Sequence, residues 1–254
     1  MKKYSILMYN FNNYEIMREP LELDSDAEYI YVTDNPNLKS DKWTIVVDEK
    51  LKELSPFDKC YYVRFHPFEY LSTDICVYLD GSTLINKSLN PIYQMFVDGN
   101  YDAAYVLNVW QQYLANDYTT FVKYRDYPIK QANRALNYLH NIGNWDFNYK
   151  GYLELYFKIV RNTKQNRDLD TMTYTILREL GEPNKIDRLD QPIYAYVLQK
   201  YFPNLKILPF SRHLVQSQYL TRCFHNVDKP DVDENVNHIT HAWLFNQLFK
   251  IIMI

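Results

Sequence analysis

One carboxylate in the first third of the chain stands where chemistry is expected. Residues 75–79 form a short apolar run, and Asp80-Gly81 follows it directly. This pattern predicts a buried parallel strand that carries Asp80 at its carboxyl end. Ligands of open α/β sheets bind at that edge, where a carboxylate can hold a divalent cation. The alternative is that Asp80-Gly81 is only a turn.

The residues around Asp80 are superficially similar to the phosphatase motif Asp-x-Asp-Gly-Thr-Leu of the haloacid dehalogenases. In that motif the nucleophilic carboxylate stands two positions before the second Asp, and Tyr78 occupies this position here. A phosphatase of that type would therefore lack its nucleophile, so we reject this function.

The flanks of the strand carry a second resemblance. Residues 59–93 include Tyr62-x-Arg64 in a predicted helix, then Tyr78-Leu79-Asp80 at the end of the strand. This block resembles the nucleotide-sugar core of GT-A-fold glycosyltransferases, most of all family 8 and a related bacterial and plant group. The resemblance implies one α/β domain, with a Rossmann-like, mixed and mostly parallel sheet flanked by helices. It also implies sugar transfer from a nucleotide diphosphate sugar, with a UDP-sugar as the expected donor.

The resemblance assigns donor-binding roles to residues near the N-terminus. It places Tyr9 and the pair Thr33-Asp34 beside the nucleotide base and ribose, and Asp80 with Arg64 beside the diphosphate. A planar guanidinium suits a diphosphate because its donors form a fixed fork. Two alternatives stay open: Asp34 can belong to a simple Asp-Asn-Pro turn, and Arg64 can be a surface arginine.

Further motifs of the family have weaker counterparts later in the chain. Gly143 corresponds to the glycine of a segment that supports the donor sugar, and Asp190-Gln191 stands where the family has an Asp-Gln pair facing that sugar. This implies catalytic roles for Asp190 and Gln191, although Asp190 is also a good helix N-cap before Pro192. His225 and Lys229 match the closing His-x-x-Gly-x-x-Lys-Pro motif, with a spacing shorter by two and without its glycine.

Sugar transfer requires neutralisation of the leaving diphosphate, commonly by Mn²⁺ or Mg²⁺. The usual GT-A metal motif is Asp-x-Asp, and this chain has Asp80-Gly81-Ser82, so the second carboxylate is missing. Two explanations remain open. Either Asp80 and His225 hold the metal, with Ser82 or water as a further ligand, or the enzyme is independent of metal and uses Arg64 and Lys229.

The composition limits the partners. The net charge of −3 and the pI near 6.1 argue against a nucleic-acid-binding protein, which would carry a basic surface. The three cysteines have no metal-ligand spacing, and their odd number suits a reducing compartment, so we expect a cytoplasmic protein. The 25 tyrosines suit a carbohydrate-binding surface, but they also follow from an AT-rich coding sequence.

The remaining pattern predicts the elements that position these residues. Strands are predicted at residues 4–8, 28–34, 43–47, 101–107 and 205–209, with 101–107 beside the Asp80 strand. Helices are predicted at residues 55–70, 89–97, 152–160, 168–180 and from Asp190 onward, with mixed helical character at residues 117–138. Residues 1–230 should form the GT-A-like domain. Residues 231–254 should form an apolar helix that packs on it or touches a membrane at its inner face.

Three functions remain in competition. The first is a glycosyltransferase that acts on a glycan or lipid-linked acceptor in surface polysaccharide synthesis. The second is a GT-A-like domain without catalysis that serves as a binding or assembly partner, which the missing second Asp would favour. The third is an unrelated α/β binding protein in which Asp80 and Asp190 are only turn and cap residues.

Overall fold

The computed structural model describes residues 2–107, 137, 153–181 and 190–223. Within these ranges the strands are β1 Tyr4–Asn10, β2 Ala27–Thr33, β3 Thr44–Val47, β4 Ile75–Leu79, β5 Thr83–Ile85, β6 Ala103–Leu107, β7 Leu153–Arg161, β8 Ile207–Ser211 and β9 Leu220–Arg222. The helices are α1 Pro56–Phe65, α2 Asn90–Asp98, α3 Lys164–Leu180 and α4 Asp190–Tyr201. Short helical turns lie at Glu49–Leu51, Pro67–Glu69, Arg212–Leu214 and Val215–Tyr219.

Seven of these strands form one sheet in the order β3-β2-β1-β4-β7-β6-β8. The pairings β3-β2, β2-β1, β1-β4 and β6-β8 are parallel, whereas β7 runs antiparallel to both of its neighbours. The strands β5 and β9 form a separate antiparallel pair. The predicted sheet, mixed and mostly parallel with flanking helices, is therefore confirmed for the described part of the chain.

The helices cover both faces of the sheet. Leu7 and Tyr9 of β1 share one buried cluster with Tyr78 of β4 and with side chains of α1, α3 and α4. Ile6 and Met8 of β1 share the other cluster with side chains of α2. Because successive strand residues point to opposite faces, this alternation decides which side chains can meet α1 and α4.

Local sequence signals explain where the helices begin and end. The hydroxyl of Ser55 accepts a hydrogen bond from the amide of Asp58, and Pro56 opens α1 as predicted. The hydroxyl of Thr163 caps α3 in the same way, and Gly181 ends it. α3 thus begins four residues before the predicted start but ends where predicted.

The prediction of a helix at residues 152–160 is wrong, because β7 occupies this segment. The first eight residues of β7 are buried, since the strand lies in the middle of the sheet with packing on both faces. A doubly covered strand has a nearly continuous apolar sequence, which periodicity cannot distinguish from a buried helix. β7 also separates β4 from β6, so the prediction that these two strands are neighbours is wrong as well.

α1 ends at Phe65 instead of near residue 70. A proline disfavours helical backbone in the residue before it, and His66, which precedes Pro67, has φ −129° and ψ 46°. Residues 117–136 and 231–254, for which helical structure was predicted, lie outside the described residues. No helix in the described ranges is long and apolar enough to cross a bilayer.

Candidate active site

Four of the residues singled out by the sequence meet at the carboxyl edge of the sheet. Tyr9 lies near the end of β1, Asp80 follows β4 directly, and Asp190 opens α4. β1 and β4 are parallel neighbours, so their carboxyl ends lie side by side. Arg64 comes from the last turn of α1, which packs on the same face of the sheet.

Arg64 is the centre of this cluster. Its Nη1 donates to Oδ2 of Asp190, and its Nη2 donates to Oδ1 of Asp80 at 2.8 Å. Its Nε donates to the hydroxyl of Tyr78 at 3.0 Å, and Nη2 also lies 3.2 Å from the hydroxyl of Tyr9. A guanidinium is planar and has five N–H donors. One side chain therefore holds two carboxylates in fixed relative positions.

Asp80 turns one carboxylate oxygen toward the protein. Its Oδ1 accepts hydrogen bonds from Arg64, from the hydroxyl of Tyr78 at 2.7 Å and, at 3.4 Å, from the hydroxyl of Tyr9. No hydrogen bond reaches Oδ2 from any described residue, and 21% of the side chain is exposed. Oδ2 is therefore the atom of Asp80 that can contact a ligand.

Asp190 is more deeply buried, with 8% of its side chain exposed. Its Oδ1 lies 3.4 Å from the hydroxyl of Tyr61, while its Oδ2 is held by Arg64. The first turn of a helix stabilises a carboxylate because the helix dipole is positive there. Gln191 follows in the same turn and is partly buried. The described structure thus orients Asp190 toward Arg64 and Asp80.

The cluster carries one net negative charge, because two carboxylates surround one guanidinium. Burial opposes the charge of Arg64, but Tyr78, Tyr9 and the two carboxylates outweigh this effect and hold its pKa well above the usual range. Burial raises the pKa of Tyr9, Tyr61 and Tyr78 well above that of a free tyrosine. These phenols stay neutral, so they can donate hydrogen bonds to the carboxylates.

Gly81 lets the chain that follows β1 pass close to Asp80. A Cβ atom at position 81 would lie 2.4 Å from the carbonyl oxygen of Tyr9 and 3.3 Å from Cγ of Glu15. The amide of Thr83 donates to the carbonyl of Asp80 at 3.0 Å and closes a turn. Asp80-Gly81 is therefore a turn, and the same turn places a carboxylate in the cluster.

Thr33 and Asp34 lie at the same edge of the sheet, but in a separate set of contacts. The carboxylate of Asp34 accepts from Nζ of Lys59 at 2.9 Å and from the amide of Asn12 at 2.9 Å. Thr33 is buried, and its hydroxyl accepts from the amide of Asn35. These contacts hold the loop after β1, and they account for Asp34 without a ligand.

The described residues do not form a metal site by themselves. They contain no group of three His, Cys, Asp or Glu side chains that could hold an ion. Asp80 offers Oδ2, while Ser82 is buried and its carbonyl accepts from the amide of Cys223. His225, the third predicted ligand, lies outside the described residues, as do Gly143 and Lys229. A site for Mn²⁺ or Mg²⁺ remains a prediction.

The sequence reading missed Tyr78, Tyr61 and Lys59 as members of the site. From the sequence, Tyr78 is the residue that replaces a phosphatase nucleophile and a part of the Tyr78-Leu79-Asp80 motif, with no role of its own in the site. Its position two residues before Asp80 was a usable signal, because residues i and i+2 of a strand point to the same face. Tyr61 and Lys59 neighbour Arg64 on α1, and only the packing of that helix shows which side chains they reach.

Comparisons with known proteins found similar folds but no similar sequences. No family model and no curated protein matches the chain. Among solved structures, mouse xyloside xylosyltransferase 1 is similar over 82% of this chain and 85% of its own, with 6% identity and a TM-score of 0.45. The bifunctional glycosyltransferase WbbM is similar over 82% of this chain but 39% of its own, with 13% identity and a TM-score of 0.47. The galactosyltransferase LgtC is similar over 81% of this chain and 72% of its own, with 15% identity and a TM-score of 0.45.

All three proteins are glycosyltransferases by name, the class that the sequence resemblance predicted. At these TM-scores the likeness is loose, and it does not distinguish family 8 from other glycosyltransferases. What the chain does must therefore be judged from its own residues.

Proposed function

We propose that this chain is a glycosyltransferase that takes its sugar from a nucleotide diphosphate sugar. The observation that carries the proposal is the pair of carboxylates, Asp80 and Asp190, held together by Arg64 at the carboxyl edge of the sheet. Carboxylates accept hydrogen bonds from sugar hydroxyls and stabilise positive charge on a sugar ring. Two of them fixed on one guanidinium make a preorganised site for a sugar that reacts at its anomeric carbon.

Each side chain has a proposed role in the transfer. The reaction breaks the bond from the anomeric carbon to a diphosphate oxygen and forms a bond to a hydroxyl oxygen of the acceptor, whose proton passes to the leaving nucleoside diphosphate or to solvent. Asp190 and Gln191 would lie beside the anomeric carbon and orient the acceptor or stabilise positive charge on the sugar. Asp80, through Oδ2, would contact the donor. Arg64 would fix both carboxylates in position.

The leaving diphosphate needs positive charge from outside this cluster. Arg64 already faces two carboxylates, so the cluster as a whole has no positive charge to offer. The required charge would come from a divalent cation with Asp80 among its ligands, from Lys229, or from both. A cation there would supply Lewis-acid stabilisation of the leaving group. In the metal-independent alternative, which uses Arg64 and Lys229, the positive charge would have to come from Lys229.

The finer parts of the proposal rest on the resemblance of residues 59–93. We propose a UDP-sugar as donor and a glycan or lipid-linked acceptor in surface polysaccharide synthesis. A reducing compartment such as the cytoplasm suits the three cysteines, Cys60, Cys76 and Cys223, none of which is joined in a disulfide. Contact of residues 231–254 with a membrane would suit a lipid-linked acceptor.

A thermal-shift panel of UDP, GDP and CMP with their sugars, each with Mn²⁺ or EDTA, tests the proposal. A ligand that binds only the folded protein raises the melting temperature. We expect a shift with a UDP-sugar in wild type that is much smaller in Asp80→Asn, together with loss of sugar-transfer activity. A shift with Mn²⁺ but not with EDTA would assign a metal to the donor site.

Asp74→Asn is the matched control, because Asp74 precedes β4 and Asp80 follows it. The two carboxylates lie at opposite ends of one strand, roughly 20 Å apart at about 3.3 Å per residue. Asp74→Asn should keep the full ligand shift. A wild-type shift without any transfer or hydrolysis would favour a binding protein without catalysis. Absence of a shift with every nucleotide would refute the donor site.

A further inference from the structure

Tyr78 is fully buried beneath the cluster, and its ring packs in the core face that contains α1 and α4. Its hydroxyl lies between Arg64 and Asp80. Nε of Arg64 lies 3.0 Å from the hydroxyl oxygen, and that oxygen lies 2.7 Å from Oδ1 of Asp80. Among the described residues, the hydroxyl of Tyr9 also contacts both groups, but its contacts of 3.2 and 3.4 Å are longer. Tyr78 therefore makes the shorter bridge between Arg64 and Asp80.

The direction of these two hydrogen bonds is fixed by chemistry. A guanidinium has only donors, so the hydroxyl oxygen must accept from Arg64. The single proton of Tyr78 must then point to Asp80, whose ionised carboxylate can only accept. A phenol has an ordinary pKa of about 10, so this proton is present at neutral pH. The bonds run in one direction, from Arg64 through Tyr78 to Asp80.

This chain of bonds decides which oxygen of Asp80 faces outward. Oδ1 receives the proton of Tyr78 and the Nη2 donor of Arg64, whereas no described residue donates to Oδ2. The two oxygens of a carboxylate are equivalent, so a half-turn leaves the arrangement unchanged, but any smaller rotation would weaken both bonds at once, and bonds to charged groups are the strong ones. We propose that Tyr78 is a positioning residue that aims Oδ2 of Asp80 at the donor. The effect of Tyr78 on donor binding rests on the proposed function.

Tyr78→Phe tests the inference, because it removes the hydroxyl and keeps the buried ring. Loss of a hydrogen bond to a charged group should weaken binding of the nucleotide sugar about tenfold. The probe is the UDP-sugar with the largest thermal shift among UDP-glucose, UDP-galactose and UDP-N-acetylglucosamine, and the readout is its dissociation constant by calorimetry. If Tyr78 acts through Asp80, Tyr78→Phe should change affinity less than about twofold in the Asp80→Asn background.

Tyr105→Phe is the control for a general effect of losing a buried hydroxyl. Tyr105 is fully buried on the same face of the sheet, and its hydroxyl bonds that of Tyr194 at 2.5 Å. This variant should lower the melting temperature and leave the dissociation constant unchanged. Equal affinity of Tyr78→Phe and wild type would overturn the inference, as would an equal loss in the Asp80→Asn background.

A second readout needs no ligand, which separates failure of this inference from failure of the proposed function. Unfolding by urea gives the stability of wild type, Tyr78→Phe, Asp80→Asn and the double variant. We expect the two changes to be coupled by about tenfold in the unfolding equilibrium constant. Absence of coupling overturns the inference even if the donor binds. Coupling in a protein that binds no nucleotide sugar supports the contact and refutes the proposed function.

Discussion

Removal of the guanidinium of Arg64 should destabilise the protein far more than loss of an ordinary surface arginine. Arg64→Met keeps an unbranched apolar stem in place of the arginine methylenes and leaves Asp190 and Asp80 without their shared cation. With 8% of its side chain exposed, Asp190 cannot recover its solvation, whereas Asp80 at 21% recovers part of it. Breaking a buried ion pair by removing one partner costs about 3–5 kcal/mol. We expect a loss of about 4 kcal/mol in the free energy of unfolding at pH 7.

The assay is unfolding in urea, monitored by circular dichroism. If the dependence of the unfolding free energy on urea concentration is the same in all variants, a change in the urea midpoint reports a change in stability. Lys164→Met is the control, because Lys164 is 82% exposed and its partner Asp168 is 45% exposed, so neither charge is buried. Its loss should cost about 1 kcal/mol. Arg64→Lys should fall between the two, because one ammonium cannot reach three acceptors in different directions.

A third variant makes the reasoning refutable. If the cost of Arg64→Met comes from an unpaired buried carboxylate, then adding Asp190→Asn should restore stability, by about half of the loss. A double variant that is less stable than Arg64→Met alone would show that the carboxylate is not penalised by burial. A loss below about 1 kcal/mol in Arg64→Met would show that the bridge does not hold the folded state together.

Two further predictions concern the turn and loop beside the cluster. Gly81→Ala would press a Cβ atom to within 2.4 Å of the carbonyl of Tyr9, so it should cost about 1–3 kcal/mol of unfolding free energy and weaken donor binding, as urea unfolding and calorimetry would show. A variant as stable as wild type would contradict the close approach of the two chains. Burial alone would raise the pKa of Asp34, but the hydrogen bonds from Lys59 and Asn12 outweigh it and hold the pKa below 3.8. The stabilisation is therefore present above the unfolded pKa and is lost as pH falls through the folded pKa, so Asp34→Asn should lower the melting temperature at pH 7, and this deficit should shrink as pH falls below the unfolded pKa. A deficit that persists unchanged at pH 3 would refute the role of the charge.

The sequence predicted the parallel part of the fold well, because each strand there has a local signature. The run before Asp80 is short, apolar and closed by a turn, and β1 and β2 have the same form. β7 was assigned to a helix because its covering by two layers removes the alternation that marks a strand. Its place between β4 and β6 is a long-range property of the sheet, and no local pattern in residues 153–161 records it.

The candidate site likewise contains contacts that follow from local sequence and contacts that only the fold creates. Asp80 and Arg64 lie within one block of sequence, and their proximity follows from a helix that leads into the next parallel strand. Asp190 is separated from Arg64 by 126 positions, and nothing local to either residue indicates that their side chains meet. The resemblance named both residues, and the packing of α1 against α4 is what joins them.

The net charge around Arg64 could not be predicted from the sequence, because it depends on which acceptors the fold brings to the guanidinium. Arg64 was expected to face a diphosphate, yet its three donor groups already have protein acceptors in Asp190, Asp80 and Tyr78. A guanidinium used in this way shapes a site and does not supply free positive charge. Its value lies in holding two carboxylates at a set separation, which neither could keep alone against their mutual repulsion. The cation for the diphosphate must therefore be sought at Oδ2 of Asp80 or beyond it, toward Lys229.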